Sequence, residues 1–546
     1  MSTGVETTSG PRPAGSATTT LRRVIVYLLL FIVMAVAATG VGGLLDRLFT
    51  EADLLGETGS SSLALPLALT LVGGPLAVLL FRALWARLNE PAEHRSAAWG
   101  LYVSGMYLLS LLVSTSYVFG SLAALAAGEQ GSWKNGLGYG LAWASIWVWH
   151  RWMWAHPSRG PLSLSSIPPV LGSVLGLVLV VGASVGLLGS IFERVLEISM
   201  SGTSLGTPWW LGALGLLVWV AGGMLVWWWH WFHVAAAKYT SALANVALVG
   251  IGIGATAVVC LWGAGYVLYA LLRFLLERDG VFSQVLGTAP LALAALLIGA
   301  LAWNHHGSVL AQRPGTVALA ARLVISAVAL AAAASGLGVI INAALAVGTT
   351  NLGGTSATTL LLAGISSLAI GGPLWWLAWR PMHPADPDGR RVYLVAVFGV
   401  SALVALITLL VLGYRLLERL LGDAPGGLLE HTRAPLGLLV ATVLVAAYHF
   451  GLWRHDRTLA PAPPSPTRLR LVTLVAGGGD GRELAAEITA RTGARVTVLS
   501  RQDGHPGSVA PARVLQALDG LTAGHVLLLA GPGDRLEAIE LSTHPG

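Results

Sequence analysis

The chain has 546 residues, of which 55% are hydrophobic and 11% are charged, and its formal net charge is +6. Soluble globular domains carry about a quarter charged residues, so this composition excludes an ordinary soluble protein. The single cysteine, Cys260, excludes an intrachain disulfide and a thiolate metal cluster.

The N-terminal tail, residues 1–20, is rich in Ser, Thr, Gly and Pro and has no apolar stretch, which is typical of a disordered segment. Long uncharged apolar runs follow it, and runs of this length are typical of membrane-spanning helices. The sequence therefore predicts an all-α polytopic membrane protein with about twelve transmembrane helices. Their predicted ranges are 22–46, 63–88, 98–126, 135–155, 168–194, 208–233, 242–276, 287–308, 318–346, 357–381, 391–420 and 435–455.

A pair of adjacent glycines recurs in these helices with a constant period of 149 residues. Each period contains four predicted helices, which indicates three tandem four-helix repeats. We place the repeats at residues 21–157, 166–313 and 316–458. The glycine pairs are Gly73-Gly74, Gly222-Gly223 and Gly371-Gly372.

Two further patterns accompany the glycine pairs. Pro-Leu follows the pair at 73–76 and at 371–374, whereas the middle copy has Met224 in place of the proline. The outgoing helices end in Leu-Leu, an acidic residue and Arg at 44–47, 275–278 and 416–419, and we interpret these as solvated helix ends. Together with the Trp-rich return helices, these motifs make residues 22–459 resemble tandem copies of a prokaryotic, uncharacterised four-helix membrane domain, number 5671 among the domains of unknown function. The resemblance implies the membrane fold and supplies no catalytic residues.

Basic residues are distributed unevenly between the two sides of the predicted helices. The side that holds the N-terminus has sixteen Lys and Arg residues, and the opposite side has eight. Because short cytoplasmic loops carry the excess of basic residues, we expect both termini to be cytoplasmic in a multi-pass plasma-membrane protein. The positive net charge is then a topological bias, and no nucleic-acid partner is expected.

Histidines gather near the predicted cytoplasmic helix ends and are the sharpest functional signal. Pairs of histidines from different helices at one depth can bind haem, copper or a quinone head group. The alternative, which we favour, is that these rings anchor helix ends at the membrane interface, as the neighbouring tryptophans do. We therefore expect no cofactor and no metal, with haem or quinone as the alternative. The candidate cofactor residues are His150, His230, His233, His305 and His449.

After a proline-rich linker at 459–467, strands alternate with helices, which predicts a small α/β cytoplasmic domain with a parallel sheet at 468–546. The loop after its first strand is glycine-rich and could bind an anion. The dinucleotide fingerprint fails because Arg482 stands where its third glycine would be, so we favour a plain turn. The residues of the anion-binding alternative are Gly477, Gly478, Gly479, Arg482 and Arg501.

No Asp, Glu or Lys falls in the middle of a predicted span, which argues against a carboxylate-driven ion antiporter. We therefore predict a non-enzymatic membrane scaffold or sensor. Its expected partners are the lipid bilayer and a cytoplasmic protein bound through residues 468–546. The alternatives are a transporter or channel for a neutral or weakly polar solute, and a haem- or quinone-linked membrane redox protein.

Overall fold

The computed structural model divides into two compact units, residues 1–449 and residues 450–546, which are described separately below. The structure describes residues 15–50, 61–129, 131–199, 208–277, 287–348, 356–379, 387–422, 427–459, 469–476, 481–500, 510–518, 521, 524–531 and 535–541.

The described residues of the first unit form helices and the turns that connect them. In that part of the chain, eleven helices are long and apolar enough to cross a membrane. The remaining predicted span is α5, whose 18 residues include five tryptophans, His150 and Arg151, and these lower its hydropathy. Two π-helical segments, Trp229–His233 and Leu248–Ala255, interrupt the α-helices. The helices are α1 Gly15–Thr50, α2 Ser61–Arg87, α3 Pro91–His94, α4 Ala97–Ala126, α5 Leu137–Trp154, α6 Ile167–Ser199, α7 Trp209–Trp228, α8 Ala242–Ala247, α9 Thr256–Leu276, α10 Ala289–Leu310, α11 Gly315–Ala346, α12 Ala357–Trp379, α13 Pro387–Leu420 and α14 Leu428–Leu459.

The start of α1 corrects one prediction. Residues 15–20, which we assigned to a disordered tail, form the first turns of the helix. This stretch contains no proline, so nothing in it prevents the helix from extending back from the apolar run. Residues 1–14 lie outside the described part of the chain.

The glycine pairs are points where two helices of a hairpin touch. In α12, a Cβ atom added at Gly371 would lie 2.6 Å from the backbone nitrogen of Ala333 in α11. At the neighbouring Gly372, an added Cβ would meet only a side-chain atom at 3.8 Å. Gly371 therefore lets the two backbones approach, as small residues do at membrane helix interfaces. Gly372 makes no such close contact with another described helix.

The middle pair is used differently. Gly223 packs against the backbone of α6 at Val180, while Gly222 receives the ring of Phe119 from α4. Both glycines of this pair are therefore contact points. This links α7 to the preceding set of helices.

Asp46, near the end of α1, is not part of a merely solvated helix end as we predicted, because its side chain bonds to another helix. Its carboxylate accepts hydrogen bonds from the backbone N–H groups of Gly136, at 2.7 Å, and Gly138, at 3.3 Å. These groups lie at the start of α5, where backbone donors lack partners within the helix. Asp46 thus caps one helix from the end of another.

The second unit contains a four-stranded sheet with the order β2-β1-β3-β4. Strands β1, β2 and β3 are parallel as predicted, whereas β4 is antiparallel to β3. Only residues 531–535 connect β3 to β4, which is too few for a crossover helix, so only an antiparallel return is possible. The elements are β1 Leu471–Ala476, α15 Gly481–Thr492, β2 Arg495–Ser500, α16 Pro511–Leu518, β3 His525–Ala530 and β4 Leu536–Leu541.

Candidate functional site

Four histidines of the first unit are almost completely inaccessible, with exposed fractions of 3% or less. Three of them, His150, His230 and His449, were sequence candidates. The fourth is His306, whereas its neighbour, the candidate His305, is only half-buried against Trp227 and Trp231. The candidate His233 is exposed and packs on Trp229. The sequence candidates therefore do not form one cluster.

Each buried histidine uses its Nδ1 atom in the same way. Nδ1 hydrogen-bonds to the carbonyl oxygen four residues earlier in the chain, at 2.7 to 2.8 Å. Because a carbonyl oxygen only accepts, Nδ1 carries the proton, and in the neutral ring Nε2 is left as the acceptor. The four pairs are His150 with Ile146, His230 with Val226, His306 with Ala302, and His449 with Val445.

Two of the Nε2 atoms accept hydrogen bonds from tyrosines of α4. Tyr102 lies 3.2 Å from His150 Nε2, and Tyr107 lies 2.9 Å from His230 Nε2. The first contact fastens α4 to α5. The second fastens α4 to the π-helical turn after α7, and so joins the first four long helices to the next set. Both tyrosines were missed in the sequence, because 48 and 123 residues separate them from their partners.

The other two Nε2 atoms have different surroundings. His449 Nε2 is buried without a hydrogen-bond partner among the described residues. The hydroxyl of the nearby Tyr393 is paired instead with Ser326, at 2.9 Å. The ring of His306 lines a cavity of about 20 Å³, which is room for about one water molecule.

Both π-helical segments adjoin His306. Trp231, in the first segment, contacts the His306 ring with centroids 5.5 Å apart. Gly252, in the second, makes room for that ring, since an added Cβ would lie 2.7 Å from His306 Cδ2. Single π-helical turns inside α-helices often mark functional positions, so this group is the most unusual backbone in the described helices.

A buried carboxylate lies beside the His150–Tyr102 pair. Glu93 of the short helix α3 is 3% exposed and accepts hydrogen bonds from Arg23, at 2.8 Å, and from Tyr27, at 3.2 Å. Tyr27 in turn stacks on Tyr102, with ring centroids 6.0 Å apart. Polar and aromatic groups thus run without interruption from Arg23 to His150. The burial of Glu93 could not be predicted, because this residue lies between two predicted spans in a charged stretch that is typical of a solvated loop.

The hydrogen bond from Nδ1 to a backbone carbonyl also occurs in many metal sites. Metal-ligating histidines commonly donate one ring N–H to a backbone carbonyl, as all four do here. In His150 and His230, however, tyrosine hydroxyls occupy the nitrogen that would bind a metal. Among the described residues, no group of three or more His, Cys, Asp and Glu side chains could hold a metal ion. The geometry instead suits hydrogen-bonded fastening between helices.

The anion-binding candidates of the second unit lie outside the described residues. This applies to Gly477, Gly478, Gly479 and Arg501, and to the side chain of Arg482, whose backbone belongs to the first turn of α15. The anion site therefore stays a prediction.

Long apolar helices that pack through glycines define a multi-pass integral membrane protein. Residues 23–149 and 319–448 match the model of a family described as Domain of unknown function (DUF5671). These regions contain α2 to α4, α12 and α13 completely and most of α1, α5, α11 and α14, so the resemblance to tandem copies of this domain is confirmed. No curated protein and no solved structure matches the chain.

The Tyr107–His230 contact leads to a stability prediction. Changing Tyr107 to Phe leaves Nε2 of His230 buried without a donor, and we expect a loss of about 0.5–2 kcal/mol in the free energy of unfolding. The double variant Tyr107→Phe/His230→Leu should lose less than the sum of the two single changes, because no unpaired polar atom remains. Reversible unfolding in bicelles measures both effects.

Tyr117 provides the matched control on the same helix. It is 42% exposed, and Tyr117→Phe should leave the unfolding free energy nearly unchanged. Strict additivity of the Tyr107 and His230 changes would contradict the proposed fastening.

Proposed function

We propose that this protein is a non-enzymatic membrane scaffold or sensor. Its membrane part would consist of twelve helices in three four-helix repeats. Its C-terminal domain, residues 468–546, would bind a cytoplasmic protein and hold it at the plasma membrane.

The observation that carries this proposal is the use of the buried histidines. Chemistry at a histidine requires a ring nitrogen that a substrate or cofactor can reach. Here each Nδ1 is bonded within its own helix, and two of the Nε2 atoms accept from tyrosines. Polar groups that bond to each other inside a membrane protein stabilise and orient its helices. This use favours architecture over catalysis.

The repeat arrangement and the orientation rest on different support. The family match covers the first and last of the proposed repeats, and the 149-residue spacing of glycine pairs extends the pattern to the middle one. The excess of basic residues on the N-terminal side supports cytoplasmic termini.

The edge of the C-terminal sheet supports a protein partner. Strand β2 is paired with β1 on one side only in the described sheet. Val498 and Leu499 of β2 are 36% and 50% exposed, so this edge strand presents apolar side chains at the surface. Exposed sheet edges accept an added strand from another protein. We therefore expect the partner to bind along β2.

Site-specific photo-cross-linking in cells tests this proposal. A photoreactive amino acid at Leu499 of the full-length chain should give a covalent adduct with a cytoplasmic protein, recovered in the membrane fraction. The matched control is Glu487, which is exposed on the helix α15 and is not part of strand β2. A chain that ends after Leu459 should release the same partner from the membrane.

Equal adducts from positions 499 and 487, or a partner that stays in the membrane fraction without the domain, would contradict the proposal. Purified protein also separates the alternatives. A Soret band, a stoichiometric metal or an extractable quinone would favour the redox protein. Flux of a neutral solute into proteoliposomes would favour the transporter.

A further inference from the structure

A second cavity, of about 660 Å³, lies between α9, α11 and α12. Its volume falls within the roughly 300–1,000 Å³ of typical ligand sites. One wall is a ladder of rings on α9, formed by Trp262, Tyr266 and Tyr269, with successive centroids 6.1 and 5.5 Å apart. The opposite wall consists largely of small residues, among them Ala331 and Ala363, and no lining residue is charged. The cavity is therefore a slot suited to a hydrocarbon chain.

The length of the slot matches one leaflet of a bilayer. Its lining extends along α9 from Val258 to Tyr269, a rise of roughly 16 Å at the usual helical spacing. The hydrocarbon core of a bilayer is about 30 Å thick, so one leaflet contributes about half of that. A single acyl chain entering from the Leu276 end of α9 would fill the slot along its depth.

A pair of opposite charges lies at that end. Arg273, one turn beyond Tyr269, donates from Nη1 to the Tyr269 hydroxyl at 3.3 Å and from Nε to Glu277 at 2.7 Å. Thr359, in the first turn of α12, donates to the other oxygen of Glu277 at 3.3 Å. The Arg273 and Glu277 side chains are only 12% and 16% exposed. This ion pair is therefore held in place at the mouth of an uncharged slot.

We propose that the slot and its ion pair bind one phospholipid with a primary ammonium and a phosphate in its headgroup, of the phosphatidylethanolamine class. An acyl chain lies between the ring ladder and the small residues. The phosphate accepts from N–H groups of Arg273 that bond to neither Tyr269 nor Glu277, and the ammonium donates to Glu277. An anionic glycerol headgroup offers Glu277 only uncharged hydroxyl donors, which bond a carboxylate more weakly than an ammonium does. A choline headgroup has no N–H to donate. The ion pair thus selects the headgroup, and the slot holds the chain.

Native mass spectrometry of the full-length, delipidated protein tests this site with defined dioleoyl lipids. We expect phosphatidylethanolamine to bind about tenfold more tightly than phosphatidylglycerol or phosphatidylcholine, a ratio that corresponds to ~1.4 kcal/mol. Glu277→Gln should remove the preference over phosphatidylglycerol. Ala331→Trp should fill the slot and remove the tight binding.

Ala327 supplies the matched control. It lies one turn before Ala331 on α11 and is likewise exposed, but it does not line the slot, so Ala327→Trp should bind like the unmodified chain. Ser335→Leu provides a second slot-filling variant if Ala331→Trp does not fold. Equal affinity for the three lipids, which is the behaviour of a non-selective lipid shell, would overturn the proposal. Unchanged tight binding in a folded slot-filling variant would also overturn it.

Discussion

Replacing Gly371 by leucine is expected to lower the free energy of unfolding of the membrane part by about 3 kcal/mol. The new side chain would enter the backbone of α11 at Ala333, and backbone cannot move aside as a flexible side chain can. The two helices would have to separate, and the packing between them would be lost along the hairpin.

The adjacent glycine supplies the control for this prediction. Gly372→Leu adds the same side chain one residue later, where an added Cβ meets only Leu368 at 3.8 Å, and its effect should stay below about 0.5 kcal/mol. Heating each variant in detergent and measuring the remaining folded protein by size-exclusion chromatography ranks their thermal stability. Similar losses at both positions would mean that the pair acts through helix flexibility and not through close approach.

The buried carboxylate gives the second large effect. Arg23→Met leaves Glu93 without its cationic partner while 3% exposed, and breaking such a pair costs about 3–5 kcal/mol. We expect about 3 kcal/mol, because the Arg23 side chain is itself 19% exposed and the pair is partly screened.

The reverse change should be milder. Glu93→Gln removes the buried charge, can still accept from Tyr27, and leaves an arginine that can reach solvent or lipid headgroups. The double variant Arg23→Met/Glu93→Gln should therefore be more stable than Arg23→Met alone. Chemical unfolding in mixed micelles gives the three values, and a double variant that is less stable than Arg23→Met would refute this account.

Hydropathy located the membrane helices because an apolar run of this length is compatible with few structures other than a membrane-spanning helix. It could not say which face of a helix meets its neighbour. Adjacent residues of an α-helix point about 100° apart, so the pattern alone does not separate Gly371 from Gly372. The same limit explains why the buried His306 was passed over for His305.

Contacts distant in sequence were also beyond prediction. Nothing near Tyr107 indicates that its hydroxyl meets His230, since that pairing depends on how α4 packs against α7. The burial of Glu93 depends in the same way on Arg23 and Tyr27 of α1. In the C-terminal domain, the alternation of strands with helices predicted the parallel arrangement of β1, β2 and β3. Strand β4 follows β3 after only a few residues and is antiparallel to it.

The π-helical segment Leu248–Ala255 sets the angular phase of the span in which it lies. A π-helical segment is defined by N–H groups that bond to carbonyls five residues earlier instead of four. Such a segment acts like an inserted residue and rotates the following helix by roughly 100° relative to an uninterrupted α-helix. Gly252 faces His306 within this segment, and the ring ladder that begins at Trp262 comes after it. The rotation that the π-helical segment introduces therefore sets the direction of the aromatic wall of the slot relative to the contact between Gly252 and His306. A change in this rotation would reorient the rings of α9 relative to that contact.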